Sequence, residues 1–96
     1  MDTIDLRNAH KSIVTGRHVD NLQALMIPIL SFVNRRDLIS GLVKKGTAEP
    51  DGKAGAGTAE ALEAVQNACL YFGKSIGSSR ADRICGDGSW KSIIEF

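Results

Sequence analysis

The residues able to do chemistry in this chain are few, and their spacing favours binding over catalysis. Its two cysteines, Cys69 and Cys85, and its two histidines, His10 and His18, belong to no His-Glu-x-x-His pattern and accompany no paired carboxylates at catalytic spacing. We therefore expect no enzyme activity, no metal and no cofactor. The histidines are predicted at the surface, and the cysteines are predicted to be small buried residues.

Two short Gly-rich segments carry the clearest pattern in the sequence. Residues 51–58 and 82–89 share the frame Asp-x-x-x-Gly-x-Gly-Thr/Ser, and each precedes an amphipathic stretch. An Asp side chain can close a turn, Gly permits positive φ, and Thr or Ser can bond free N–H groups in a first helical turn. Both segments are predicted to be the same kind of loop leading into a helix. A second echo pairs Leu22-Gln23 in the first helical stretch with Val65-Gln66 in the stretch between the two segments.

The first Gly-rich segment also suggests nucleotide binding, which its details do not favour. Gly52-Lys53 lacks the Ser or Thr that completes a phosphate-binding loop, and Glu60 stands where a dinucleotide-binding loop needs a third Gly. The N-terminus of a helix can still attract an anion such as a carboxylate. Lys53 is therefore a candidate ligand contact.

Helices are predicted to position these loops. Val19, Leu22 and Met26 recur at helical spacing, and Pro28 predicts a break near Ile27. A second helical segment is expected to follow Pro28 and end before Gly46. It carries basic residues that could form a strip for an acidic partner: Arg35, Arg36, Lys44 and Lys45.

The strongest helical pattern lies between the two loops. It is predicted to run from about residue 58 to residue 72, with one apolar stripe: Ala61, Leu62, Val65, Ala68, Cys69 and Phe72. A last short helix places Trp90, Ile93 and Ile94 on one face, so Trp90 is interpreted as a core anchor rather than a sugar-stacking ring. Because no strand pattern of comparable strength appears, the predicted class is all-α.

Composition excludes several function classes. A chain of 96 residues, 43% hydrophobic and 24% charged, predicts one self-folding domain. The net charge of +1 provides no overall field to hold nucleic acid. The N-terminus has acidic residues where a signal peptide needs basic ones, and no apolar stretch is long enough for a membrane span. We therefore expect synthesis in the cytoplasm, with any cell wall reached by lysis or another route.

The loops and the first helix together resemble a known family. In the three-helix peptidoglycan-binding module of bacterial and phage cell-wall hydrolases, a Val-x-x-Leu-Gln helix precedes two Asp-Gly-x-x-Gly-x-x-Thr loops, the second followed by Trp. Matching residues here are Val19, Leu22 and Gln23 in the first helix, Asp51, Gly52, Gly55 and Thr58 in the first loop, and Asp82, Gly86, Ser89 and Trp90 in the second.

This resemblance implies a small three-helix bundle with an extra helical insertion after the first helix. The expected organisation is a lead-in over residues 1–15 and a single domain over residues 16–96, with the insertion at about 28–50. Two departures stand out: Arg83 replaces the second-position Gly of the second loop, and Val65 stands where the family usually has an aromatic residue.

Two functions are compatible with these features. The resemblance implies a non-catalytic cell-wall module that binds peptidoglycan or serves a cell-wall hydrolase, with these ligand contacts: Asp51, Lys53, Thr58, Asp82 and Arg83. The alternative is a small phage- or mobile-element-type protein that uses the same scaffold to bind and modulate a host protein. The apolar and basic segment after Pro28 motivates this alternative, because a fold does not fix a function.

Overall fold

Three α-helices dominate the computed structural model, which describes residues 1–96. They are α1 (Val19–Phe32), α2 (Ala56–Tyr71) and α3 (Asp87–Ile94), and a 3₁₀ helix at Arg36–Gly41 lies between the first two. Two short strands, β1 (Ile4–Asp5) and β2 (Ile84–Cys85), form an antiparallel pair. No helix combines the length and the apolar character that a membrane crossing requires. The chain is thus predominantly helical, and the strand pair is its departure from the predicted all-α class.

Helix α1 buries one face and passes through Pro28. Its buried apolar residues recur every three or four positions: Val19, Leu22, Met26, Ile29 and Leu30. The predicted break near Ile27 is wrong, because the helix continues to Phe32. Pro28 cannot donate to the carbonyl of Ala24, but both residues are exposed, so water can satisfy that carbonyl. The proline therefore costs the helix less than it would on the buried face.

The predicted second helix after Pro28 is instead the end of α1, a turn and the 3₁₀ helix. Asn34 adopts a positive φ of 61°, which ends the α-helical path. The 3₁₀ helix buries Leu38, and Leu42 follows it into the core. Gly41 lies so close to Gly57 that a Cβ on Gly41 would be 3.2 Å from the Gly57 Cα. The segment between α1 and the first Gly-rich loop thus packs directly on the start of α2.

Helices α2 and α3 largely follow their predicted patterns. The stripe on α2 is buried as predicted at Ala61, Leu62, Val65, Ala68 and Cys69, but Phe72 lies beyond the helix and is exposed. On α3, Trp90 and Ile93 are buried, which confirms Trp90 as a core residue, whereas Ile94 is exposed. Both errors fall at helix ends, where the chain leaves the protein core.

The N-terminal residues pack against both Gly-rich loops. In the β1–β2 pair Ile4 is opposite Cys85, and farther along the chain Val14 bridges Ala54. Ile4, Leu6 and Ala9 join the hydrophobic core. Residues 1–15, expected as a lead-in, therefore contribute to the same core as the helices. Their two-residue strand is too short to show an alternating pattern in the sequence.

Candidate binding loops before two helices

The first loop, residues 51–58, is held by a buried glutamine of α1. The Gln23 amide nitrogen lies near three acceptors: Asp51 Oδ1 at 2.8 Å, the Lys53 carbonyl at 3.2 Å and Thr58 Oγ1 at 3.2 Å. Gln23 Oε1 accepts a hydrogen bond from the Gly52 N–H at 2.9 Å. Since Gln23 and Thr58 are fully buried, these bonds are protected from water and fix the loop on α1.

The second loop, residues 82–89, is held in the same way by a buried glutamine of α2. The Gln66 amide nitrogen lies near Asp82 Oδ1 at 3.0 Å, the Ile84 carbonyl at 2.9 Å and Ser89 Oγ at 3.1 Å. Gln66 Oε1 accepts from the N–H groups of Asp82 at 3.1 Å and Arg83 at 3.0 Å. Each of these contacts has its counterpart in the first loop except the bond from the Asp82 N–H, because the Asp51 N–H bonds the Leu42 carbonyl instead.

The backbones of the two loops also correspond. Gly52 and Arg83 occupy equivalent positions, and both have a positive φ, 69° and 61°. Gly55 and Gly86 both precede their helices in an extended conformation. The prediction that the two Gly-rich segments are the same kind of loop is confirmed, and the paired glutamines turn out to be its central element.

One predicted detail of these loops is wrong. Thr58 and Ser89 were expected to bond N–H groups of the first helical turn, yet neither helix has a side-chain cap. Their hydroxyls instead donate to carbonyls of the preceding segment, Thr58 to Gly41 at 3.3 Å and Ser89 to Ile76 at 3.2 Å. The hydroxyls therefore connect each loop to the chain that leads into it.

The predicted ligand contacts differ in accessibility. Lys53 is exposed, Asp51 and Asp82 are half-buried, and Thr58 is buried and has no surface for a ligand. Arg83 is half-buried, and its guanidinium pairs with Glu63 of α2 at 3.0 Å. The structure brings Asp51, Lys53 and Thr58 together in one loop and Asp82 and Arg83 in the other. No hydrogen bond joins the two loops.

Both cysteines are buried free thiols, as predicted. Burial raises the pKa of Cys85 to about 12, with smaller contributions from the nearby Cys69 and Asp82. Burial likewise raises the pKa of Cys69, and Lys74 opposes this shift. Both side chains are therefore neutral at physiological pH, and neither can act as a thiolate nucleophile in this state.

The histidines have different environments. His10 is exposed as predicted, whereas His18 is half-buried beside Trp90, with ring centroids 6.3 Å apart in an edge-to-face arrangement. The prediction of a surface residue is thus wrong for His18, whose Nδ1 is buried without a hydrogen-bond partner. Nowhere do three or more His, Cys, Asp or Glu side chains cluster closely enough to hold a metal ion.

One further surface was not predicted. Phe32, Tyr71 and Phe72 are 70%, 84% and 50% exposed, and they border a groove of about 560 Å³ between the end of α1 and the second half of α2. We call this the aromatic groove; it is lined by Phe32, Val33, Arg35, Ala64, Asn67, Ala68, Tyr71 and Phe72. The one feature of the sequence that could have predicted this surface is the aromatic residue at or just after the end of each α-helix.

No family model, curated protein or solved structure matches this chain. The likeness to the peptidoglycan-binding module therefore rests on the matching residues in the sequence alone.

Proposed function

We propose that this protein is a non-catalytic cell-wall module that binds peptidoglycan through the first and second loops. The observation that carries the proposal is the repeated arrangement in which Gln23 and Gln66 hold equivalent Asp-containing loops. The family that the sequence resembles has Gln, Asp and Thr in the same order, with a shorter connection before its first loop. In both loops the residues that match the family make hydrogen bonds to one another. A chance match in sequence would not be expected to produce the same hydrogen bonds twice.

The ligand contacts in this proposal are the charged groups at the loop surfaces. Lys53 offers an exposed ammonium beside the start of α2, whose first-turn N–H groups have no side-chain cap. Together they suit a stem-peptide carboxylate. Asp51 and Asp82 use Oδ1 within the loops, which leaves Oδ2 outside those bonds for amide donors of a ligand. Thr58 contributes indirectly, by holding the first loop.

Retention on purified sacculi tests this proposal. Wild-type protein is expected to sediment with sacculi at low salt, and Lys53→Glu is expected to weaken retention about tenfold through loss of a charge-assisted contact. Lys91→Glu, an equal charge change on the exposed face of α3, is the matched control. Failure of folded wild-type protein to sediment would contradict the proposal. Equal losses for both variants would refute the assigned site.

A second candidate function is favoured by the inserted segment. A shallow depression of about 520 Å³ is bordered by three cations, Arg36, Lys44 and Lys45, and by the apolar side chains of Ile39 and Val43. Lys44 pairs with Glu49 at 3.5 Å, which leaves Arg36 and Lys45 to attract an acidic partner. This arrangement suits modulation of a host protein.

Gel filtration of a bacterial lysate with tagged protein separates the two functions. Binding of a host protein predicts a stoichiometric complex that the double variant Arg36→Glu/Lys45→Glu abolishes and Lys53→Glu preserves. The cell-wall proposal predicts the reverse dependence in the sacculus assay. If Arg36→Glu/Lys45→Glu lost sacculus retention and Lys53→Glu kept it, the wall contact would lie on the inserted segment rather than on the first loop.

A further inference from the structure

The ends of the three α-helices bring most of the aromatic residues of the chain to one surface. Phe32 ends α1, Tyr71 ends α2 and is followed by Phe72, and Phe96 lies two residues after α3. The ring centroids of Phe32, Phe72 and Phe96 lie 5.8–6.1 Å apart, and Tyr71 lies 5.1 Å from Phe72. Four of the five aromatic residues, all except the buried Trp90, thus form one cluster, the aromatic surface.

Three of the six large hydrophobic residues that are exposed belong to the aromatic surface. At roughly 200 Å² for a full aromatic side chain, the exposed fractions of Phe32, Tyr71 and Phe72 leave about 400 Å² in water. The largest apolar patch of a monomeric protein is usually 300–600 Å², and such patches commonly mark interaction sites. The aromatic surface has the size of such sites, and neither the first nor the second loop includes it.

The angles between the rings indicate which kind of ligand the aromatic surface binds. Three of the four ring pairs meet at 74–88°, so the rings present no common plane on which a row of sugars could stack. Six of the eight residues lining the aromatic groove are hydrophobic. Apolar protein side chains fit this lining better than a glycan, which needs a denser set of polar partners.

The aromatic surface also contains both halves of a packing contact. Ala64 and Ala68 lie one turn apart on α2 and form a shallow floor, while Tyr71 projects beside them with 84% of its area exposed. A protruding ring next to a floor of small residues is complementary to a second copy rotated by a two-fold axis.

Charges near the aromatic surface are of both signs. Arg35 pairs with Asp37 at 3.2 Å on one side, and Lys74 lies 5.8 Å from the Phe96 centroid on the other, with Glu95 exposed nearby in the sequence. A surface that carries charges of both signs can pair with a second copy of itself. A surface with charges of one sign would need a partner of opposite charge. The net charge of +1 opposes association of two copies only weakly.

We propose that the aromatic surface joins two copies of this chain into a two-fold symmetric dimer, in which Tyr71 of each copy packs over Ala64 and Ala68 of the other. A standard interface buries about 800 Å² on each partner. The exposed aromatic rings supply about half of that area as an apolar core, and the surrounding charged residues supply a polar rim. Micromolar association is expected, and the dimer would present two sets of loops to a polymer.

Sedimentation velocity of the purified protein, between about 1 µM and 1 mM, tests this proposal without wall material. Wild type is expected to show a monomer–dimer equilibrium, and Tyr71→Ala is expected to weaken it at least 30-fold, as truncation of a central aromatic residue does. Tyr71 is so exposed that its loss should leave the fold intact. Ile13→Ala, at an apolar side chain 60% exposed on another segment, is the control and should change nothing.

A second variant tests the receiving side of the contact. Ala64→Glu adds a carboxylate to the half-buried floor and is expected to abolish the dimer while circular dichroism stays that of wild type. If Ala64→Glu fails to fold, the result for Tyr71→Ala alone decides whether the dimer proposal holds. A wild-type protein monomeric at the highest concentration would overturn the proposal, as would a dimer insensitive to Tyr71→Ala or capture of this surface by another protein in a stoichiometric complex.

This dimer and the cell-wall proposal can fail independently. Lys53→Glu is expected to lose sacculus retention and keep the dimer, whereas Tyr71→Ala is expected to become monomeric and keep the intrinsic loop contact. A protein that dimerises without binding sacculi would support the dimer alone.

Discussion

The first and second loops adopt one conformation although different lengths of chain lead to them. Gln23 bonds an Asp that lies 28 residues farther along the chain, and Gln66 bonds one only 16 residues away. The longer connection contains the 3₁₀ helix and its following turn. Since the glutamine amide nitrogen has the same three partners in both places, Gln, Asp and the hydroxyl residue determine the loop, and the length of the connection can vary.

The differences between the loops concern crowding and strain. At the position with positive φ the first loop has Gly52 and the second has Arg83. Where the first loop buries Ala54, the second buries the larger Cys85. A Cβ on Gly57 would lie 3.2 Å from its nearest backbone atom, whereas one on Gly88 would lie 2.7 Å away. The second loop is therefore the more tightly constrained of the two.

The largest expected effect comes from removing the glutamines. Gln66→Leu should lower the free energy of unfolding by about 3–4 kcal/mol, because it strands two backbone N–H groups and several buried acceptors. Gln23→Leu strands one N–H and should cost about 2–3 kcal/mol. Urea unfolding followed by circular dichroism measures both. Asn21→Leu, exposed on α1, is the control and should stay within about 0.5 kcal/mol of wild type. A larger loss for Gln23→Leu would reverse the ranking of the two loops.

The glycines at the second position of each helix test the difference in crowding. Gly88→Ala should cost about 2 kcal/mol, because its Cβ would overlap the backbone of Ile76 and Gly77. In Gly57→Ala the crowding is smaller, and it is offset because Ala favours a helix over Gly by about 0.5–1 kcal/mol. Little net change in the free energy of unfolding is therefore expected. Thermal and urea unfolding of the two variants give the comparison. Equal losses at both positions would show that the second loop is not the tighter one.

Alkaline pH tests the buried thiol of the second loop. Below the ordinary thiol pKa of about 8.5, Cys85 is neutral in the folded and unfolded states and stability does not depend on it. Above that pH the unfolded thiol ionises while the folded one, with its pKa near 12, stays protonated. Stability should therefore fall as pH rises, by about 2 kcal/mol at pH 10.

Cys85→Ala gives the second loop the residue that the first loop has. It should remove this part of the alkaline decline, while Cys69 remains in both proteins and its contribution cancels. The measurement is urea unfolding at pH 7 and pH 10 under reducing conditions. An unchanged difference between the two pH values would mean that Cys85 ionises in the folded protein as easily as in the unfolded chain.

The smallest expected effects concern the positive φ angles. Gly52→Ala should cost about 1 kcal/mol, because a side chain is strained in the left-handed region. Arg83→Gly relieves similar strain but loosens the unfolded chain and loses the partly exposed pair with Glu63, so a change within about 0.5 kcal/mol is expected. Differential scanning calorimetry resolves the two. A clear gain for Arg83→Gly would show that strain outweighs the other two contributions.

Local sequence pattern predicted much of this fold. The apolar stripe of α2, the core position of Trp90 and the equivalence of the two Gly-rich segments all followed from spacing over one or two helical turns. The path of α1 through Pro28 could not be predicted, because it depends on the exposure of the carbonyl that loses its partner. Likewise, the short strand at Ile4 could not be predicted, because it is defined by its pairing with Cys85, far along the chain.

The candidate site was predicted less completely. The glutamines were recognised as an echo, but their partners lie 16 and 28 residues away and depend on tertiary packing. The same limit explains why Thr58 was placed among ligand contacts although the structure buries it. The aromatic surface was visible only as separate residues at helix ends, because their convergence requires the arrangement of all three helices.

The side chain of Trp90 links the beginning and the end of the chain. Its indole N–H donates to the carbonyl of Asp2 at 2.8 Å, across a separation of 88 residues. This contact cannot form on the ribosome before Trp90 has been synthesised, so Asp2 and the adjoining strand β1, which pairs with Ile84 and Cys85, dock only late in synthesis. Because Trp90 is the only tryptophan, its fluorescence reports the moment at which the N-terminal segment docks.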